Sequence, residues 1–166
     1  MDLEGAEPVY LEFSDALELY AAIVGGTTVQ AADQLRDRAG LESALGRPRN
    51  YALYEHADLA LQAAALAHGI AESQTFIDGN KRLALIAVLA FLEINGFEVE
   101  ASDPELAAWI LSLSSGTTPE ELSKLIRARL RPISPTEAPR AEERRQNEAG
   151  RAAAASPAGR STRRLN

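Results

Sequence analysis

Cysteine is absent from the chain, which excludes both disulfides and thiolate metal sites. No run of about 18 apolar residues occurs, so no membrane span is expected. An excess of basic charge is missing too. Residues 1–132 hold 20 acidic and 10 basic side chains, a net of −10. That balance argues against nonspecific binding of DNA or RNA by the body of the protein. Residues 133–166 reverse the sign, with 4 acidic and 7 basic side chains, but the segment is short and mixed. The N-terminal run Met1 to Glu7 is acidic, whereas a secretory signal needs a basic start and an apolar stretch. These features fit a cytoplasmic protein with no membrane partner.

What is present is a chain of 166 residues, enough for one domain with extensions. About 130 ordered residues can bury one core. The boundaries expected are a domain over 8–131 and a disordered tail over 132–166. The tail carries Pro132, Pro135, Pro139, Gly150 and Pro157 and almost no large apolar residue. Its run Ala152 to Ala155 suggests only transient helix.

The domain reads as all-α, with five or six helices. Val9 to Phe13 alternates and suggests a short extended piece. Ala16 to Val24 is helical in pattern, with Ser14 or Asp15 as cap and Gly25-Gly26 as stop. Ala32 to Leu45 mixes short helical turns, and Pro48 ends whatever precedes it. Glu55 to Ile70 is apolar all round and reads as a buried helix. Lys81 to Asn95 is a second central helix, ended by Asn95-Gly96. Phe97 to Val99 is a short extended piece. Asp103 caps a helix from Pro104 to Leu113, and Thr118 with Glu121 forms a capping box for a last one to about Leu130.

Between the two central helices lies Phe76-Ile77-Asp78-Gly79-Asn80-Lys81-Arg82. Gly79 adopts positive φ at no steric cost and Asn80 tolerates it. Such a turn aims successive N–H groups at one point, beside the partial positive charge of a helix N-terminus. Lys81 and Arg82 at that end oppose the helix dipole, a cost that an anion would remove. Asp78 can ligate a Mg²⁺ ion that bridges phosphates. A plainer reading stays open at this point: Asp78 caps the helix, Gly79-Asn80 is only a turn, and the two cations are solvated.

The same run resembles the signature of the Fic/Doc family, His-x-Phe-x-(Asp/Glu)-Gly-Asn-(Gly/Lys)-Arg. Lys81 after Asn80, and Leu85 where a second Arg stands in other members, resemble the Doc branch, the death-on-curing toxins. Leu35 to Pro48 looks like the segment leading into the family's flap, and Phe91 to Phe97 looks like the end of its central helix. The resemblance covers about residues 8–130 and implies a helical bundle with a central helix–loop–helix and a short β-hairpin flap. Fic members typically transfer AMP from ATP to a protein hydroxyl; Doc phosphorylates a threonine of elongation factor Tu. On that resemblance Gly79, Asn80, Lys81 and Arg82 would hold the phosphates of ATP. Asp78 would place Mg²⁺, and Phe76 would be a buried anchor. Residues from Arg47 to Tyr54, including Asn50 and Tyr51, would form the flap where a target segment docks by strand addition. The partner implied is a small antitoxin whose C-terminal segment folds over the toxin.

Gln74 stands where the signature has its His, the general base of the reaction. A neutral amide offers a donor and an acceptor but no titratable base. Losing a general base costs on the order of 10²–10⁴ in rate. Thr75 replaces the usual Pro and Leu83 a usual Thr, so the motif differs at three positions. His68 and His56 lie upstream on the Ala/Leu-rich stretch and read as structural. Asp78 is a candidate base only where no metal occupies it. Trp109, Tyr51 and Tyr54 read as core or flap packing and Glu42 as a helix cap or surface residue. No inhibitory Ser/Thr-x-x-x-Glu helix is evident, which points to inhibition in trans. The expectation is a Doc-like toxin that transfers phosphate or AMP to a protein hydroxyl, impaired by Gln74. The alternatives are a nucleotide- or partner-binding protein without transfer, and other phosphoryl or nucleotidyl chemistry.

Overall fold

Two helices that are buried on nearly every side organise the chain. These are α4 (Leu59–Glu72) and α5 (Asn80–Ile94), as found in a computed structural model that describes residues 6–134 and 141–154. Around them lie α1 (Phe13–Val24), α2 (Thr28–Asp33), α3 (Arg38–Tyr54), α6 (Asp103–Leu113), α7 (Pro119–Arg129) and α8 (Ala141–Ala154). Helix α4 packs against α3, α5, α6 and α7. Its small residues Ala60, Ala63, Ala64, Ala65 and Ala67 are all buried. At Gly69 a Cβ would stand 2.8 Å from Arg47 Cδ and 3.2 Å from Ala44 Cβ, so the close approach of α3 depends on glycine. No helix among the described residues is long and apolar enough to cross a membrane.

The helix starts follow local chemistry. Asp58 caps α4 by accepting from the Leu61 N–H at 2.9 Å. Ser102, and not Asp103, caps α6 in a reciprocal capping box with Glu105, and Thr118 with Glu121 forms one on α7. Helix α1 begins earlier than its pattern suggests, at Phe13, because Glu12 and Asp15 form a capping box there. Val9 is not in a strand but is held to the end of α5: its N–H donates to Asn95 Oδ1 at 2.8 Å and its carbonyl accepts from Asn95 Nδ2 at 2.9 Å.

Three expectations are corrected. Pro48 does not end a helix; it lies inside α3. Leu41, Ala44, Leu45 and Pro48 are the buried positions of that helix, spaced so that they form one stripe. Burial of Pro48 on that stripe outweighs the loss of one N–H donor. The segment from Arg47 to Tyr54 is therefore helical and not a β-hairpin flap. The one sheet among the described residues joins β1 (Phe97–Val99) to β2 (Leu130–Pro132), antiparallel, with Glu98 opposite Arg131. Arg131 ion-pairs with Glu98 and, at 3.0 Å, with Glu100.

The third correction concerns the C-terminal segment. The expectation of disorder from 132 fails over Ala141–Ala154, which is α8 and packs on α1 and α5. Its sequence is made almost wholly of strong helix formers. Ala152 is fully buried, and Arg151 reaches Glu93 of α5 at 4.0 Å. Polar composition hid a small apolar contact that, among the described side chains, Ala152 makes. The expected tail over 135–140 and 155–166 lies outside the described residues.

Candidate functional site

Helix α4 ends at Glu72, and the chain crosses to α5 through Ser73 to Gly79. Phe76 anchors this loop at 1 % exposure, its ring stacked on Tyr20 of α1 with centroids 3.8 Å apart and planes 13° apart. The Tyr20 hydroxyl donates to the Asp78 carbonyl at 2.9 Å. Burial first, and the Asp78 charge second, raise the Tyr20 pKa above its ordinary value, which keeps the phenol a donor. Sequence reasoning missed Tyr20, which lies 58 positions from its partner; no local spacing could have signalled it.

The Asn80 side chain staples the loop from its other end. Its Oδ1 accepts from the Phe76 N–H at 3.0 Å and from Thr75 Oγ1 at 3.2 Å, and its Nδ2 donates to the Phe76 carbonyl at 3.0 Å. Asn80 was expected among the phosphate-binding residues. Its amide makes these bonds inside the loop, which leaves its backbone N–H and the second Nδ2 hydrogen as the donors it can offer a ligand.

A second segment fixes the loop from outside. The Arg36 N–H donates to the Thr75 carbonyl at 2.7 Å, and the Ile77 N–H donates to the Gln34 carbonyl at 3.0 Å. Leu35 and Phe76 thereby form an isolated antiparallel bridge. Gln34 to Asp37, and not Arg47 to Tyr54, is the stretch that runs strand-like beside the motif. Arg47, Asn50 and Tyr51 do not line the cleft at the loop. Arg47 lies against α4, with its guanidinium 3.0 Å from His68 Nδ1. A guanidinium only donates, so Nδ1 accepts. His56 sits in the turn after α3 with φ 49°. Neither histidine lines the cleft.

The cleft has a volume of about 710 Å³ and gathers Arg36, Glu72, Gln74, Asp78, Gly79, Asn80, Lys81 and Arg82 around one space. Gly79 is the N-cap of α5 with φ 83°, a conformation that suits glycine. It offers no side-chain cap. The N–H groups of Asn80, Lys81 and Arg82 find no acceptor among the described residues. Lys81 is exposed and Arg82 half-buried, and neither forms an ion pair among those residues. Gln74 is exposed at the cleft wall.

Asp78 Oδ1 accepts from the Gly79 N–H at 2.7 Å, and Oδ2 has no partner among the described residues. No cluster of three or more metal-ligating side chains occurs among them. Mg²⁺ needs no such cluster, because it is commonly held by one or two carboxylates with phosphate oxygens and water. Asp78 fits that requirement as a single ligand. Next to the cleft, and sharing Lys81 and Arg82 with it, lies an apolar pocket of about 410 Å³ lined by Leu85, Leu89 and Ile110.

A family model described as the Fic/DOC family matches residues 10–92, half of the chain, and spans both the loop and the helices that carry it. The chain belongs to the Fic/Doc family. A curated relative, Toxin Doc of Mycolicibacterium smegmatis, is 34% identical over 94 residues, which are 55% of this chain and 68% of the relative. The all-α architecture is the one expected of a Fic/Doc protein. The Fic/Doc match ends inside α5, so α6, α7 and α8 lie beyond it.

Proposed function

We propose that the protein is a Doc-like toxin of a type II toxin–antitoxin pair. On this reading its loop binds ATP with Mg²⁺ and directs phosphate, or AMP, onto a protein hydroxyl, slowly because Gln74 replaces the base. The observation that carries the reading is the α5 N-terminus. There, N–H groups of Asn80, Lys81 and Arg82 and two cationic side chains, all without a partner among the described residues, face one cleft. Backbone donors and the helix dipole favour an anion there, and the arginine fork suits a phosphate. The apolar pocket beside Lys81 and Arg82 suits the base and ribose of the nucleotide.

In the transfer, the target hydroxyl oxygen bonds to phosphorus as the bond to the leaving phosphate breaks. The leaving group departs with the electron pair, and the hydroxyl proton must go elsewhere. Mg²⁺ at Asp78 supplies charge neutralisation on the phosphates when bound. Lys81, Arg82 and the loop N–H groups hold the phosphates against the attacking oxygen. The Gln74 carbonyl orients the hydroxyl by accepting its hydrogen bond but cannot take the proton, which passes to water. The target proposed is a translation protein such as elongation factor Tu, the inhibitor a small antitoxin acting in trans, and the site of action the cytoplasm.

The exposed amide at Gln74 favours a second reading, a protein that binds a nucleotide or a partner without transfer. ATP labelled in turn on the α- and γ-phosphate separates the two. Purified full-length protein is incubated with each label, Mg²⁺ and elongation factor Tu or lysate. Label transferred to protein, and lost with Lys81→Ala, supports the toxin. ATP binding with no transfer of either label overturns it in favour of the second reading.

A further inference from the structure

We propose that Arg36 is a specificity-determining residue that binds the terminal phosphate of a nucleoside di- or triphosphate, opposite the α5 N-terminus. The proposal rests on the reading of the cleft as a nucleotide site and names the group that reads ligand length. Arg36 is not part of the motif loop. It belongs to the short bridge before α3, and two features place it.

The first is geometry. The Arg36 backbone is pinned to the motif strand by the bond from its N–H to the Thr75 carbonyl at 2.7 Å. Asp37 N–H shares that carbonyl at 3.2 Å, and the Ile77 N–H returns a bond to Gln34. The Arg36 Cα is therefore fixed relative to the loop, while its side chain is exposed and lines the cleft. The neighbouring Arg38 is engaged: it pairs with Glu42 at 3.1 Å and lies over the Phe13 ring. Arg36 forms no ion pair among the described residues, although Glu72 and Asp78 line the same cleft.

The second is charge. Without Arg36 the ionisable lining is balanced, with Lys81 and Arg82 against Glu72 and Asp78. Arg36 makes the cleft net positive in a chain whose formal charge is −7. One phosphate is served by the α5 N-terminus and its two cations. A cation held on a different element suits a ligand that extends beyond that first phosphate. A guanidinium supplies it with a planar fork that matches phosphate oxygens.

Titration calorimetry of the full-length protein with ATP, ADP and AMP, each with Mg²⁺, tests this in the wild type, Arg36→Ala and Arg36→Lys. Because the fixing bonds are made by the backbone, both variants should keep the wild-type unfolding midpoint. Arg36→Ala should bind ATP roughly ten- to a hundredfold more weakly, the worth of a charged hydrogen-bonded contact. Its affinity for AMP should be unchanged, and Arg36→Lys should recover part of the loss for ATP. An equal loss for ATP and AMP, or no loss at all, overturns the proposal. If the wild type binds ATP but does not prefer it to AMP, the proposal fails while the nucleotide site stands. If the wild type binds none of the three, the nucleotide reading itself fails and takes this one with it.

Discussion

Replacing Asn80 with Ala separates two roles that the motif alone does not distinguish: holding a ligand and holding the loop. The side chain makes three hydrogen bonds, to the Phe76 N–H, the Phe76 carbonyl and the Thr75 hydroxyl. Thr75 is wholly buried and Phe76 nearly so, so the freed Phe76 N–H is cut off from water. Each lost bond is worth about 1 kcal/mol, and an orphaned buried donor costs about 1–3 kcal/mol. The orphaned Phe76 N–H and the two other lost bonds together destabilise by about 3–5 kcal/mol. With a urea slope of about 2 kcal/mol/M, the midpoint should fall by about 1.5–2.5 M. Equilibrium unfolding in urea, followed by far-UV circular dichroism without nucleotide, measures it. Asn80→Asp keeps the acceptor oxygen and loses the Nδ2 donor, so its midpoint should lie between the other two. An unchanged midpoint in Asn80→Ala, together with lost ATP binding, would refute the reasoning. That result would mean the amide serves the ligand directly.

Other perturbations probe the scaffold around the loop. Tyr20→Phe keeps the stack on Phe76 and removes the bond to the Asp78 carbonyl, and should cost about 1 kcal/mol in a thermal or urea melt. A loss near 4 kcal/mol would show that the hydroxyl holds more than one loop atom. Gly79→Ala places a side chain at φ 83° and 3.4 Å from Tyr20 Cε2, and should destabilise by about 1–2 kcal/mol. A stabilised variant would contradict the left-handed cap. The Arg127 hydrogen bond, and after it the Leu61 N–H, hold the Asp58 carboxyl below its ordinary pKa against the opposing effect of burial. A lowered folded-state pKa means that stability is present above the ordinary carboxylate range and is lost as pH falls through the folded value. Asn caps a helix about as well as Asp, so Asp58→Asn should be less stable than wild type at pH 7 only by the exposed ion pair to Arg127, about 0.2–1 kcal/mol. The gap should close below about pH 4; a gap that persists in acid would show that the charge is not its source.

Much of the fold was legible because its signals are local. Thr118-Pro119-Glu120-Glu121 states a helix start within four residues, and α7 begins there. The apolar stretch before Gln74 and the run after Gly79 became α4 and α5. Errors fell where a distant surface decides. Pro48 reads as a breaker until α3 is seen with Pro48 on its buried stripe. The tail reads as solvated until Ala152 meets its buried environment. Within the site, Lys81, Arg82, Asp78 and Gln74 were brought to one cleft, whereas Arg47, Asn50 and Tyr51 were not. The family resemblance located the loop but misplaced its neighbour, because the pairing of Gln34 to Asp37 with Thr75 to Ile77 is a backbone contact and leaves no mark on side-chain pattern. Asn80 shows the same limit: residue type allowed a phosphate ligand, and only the fold shows that its amide also staples the loop.

The central claim is that the phosphate cradle is intact while the group that should take the proton is an amide. Wild type, Gln74→His and Lys81→Ala, each assayed for Mg²⁺-ATP affinity and for label transfer to a protein target, test it together. The account predicts that wild type and Gln74→His bind ATP alike, that Gln74→His transfers faster by up to on the order of 10²–10⁴, and that Lys81→Ala loses both binding and transfer. Equal transfer rates in wild type and Gln74→His, with ATP bound by both, would contradict it.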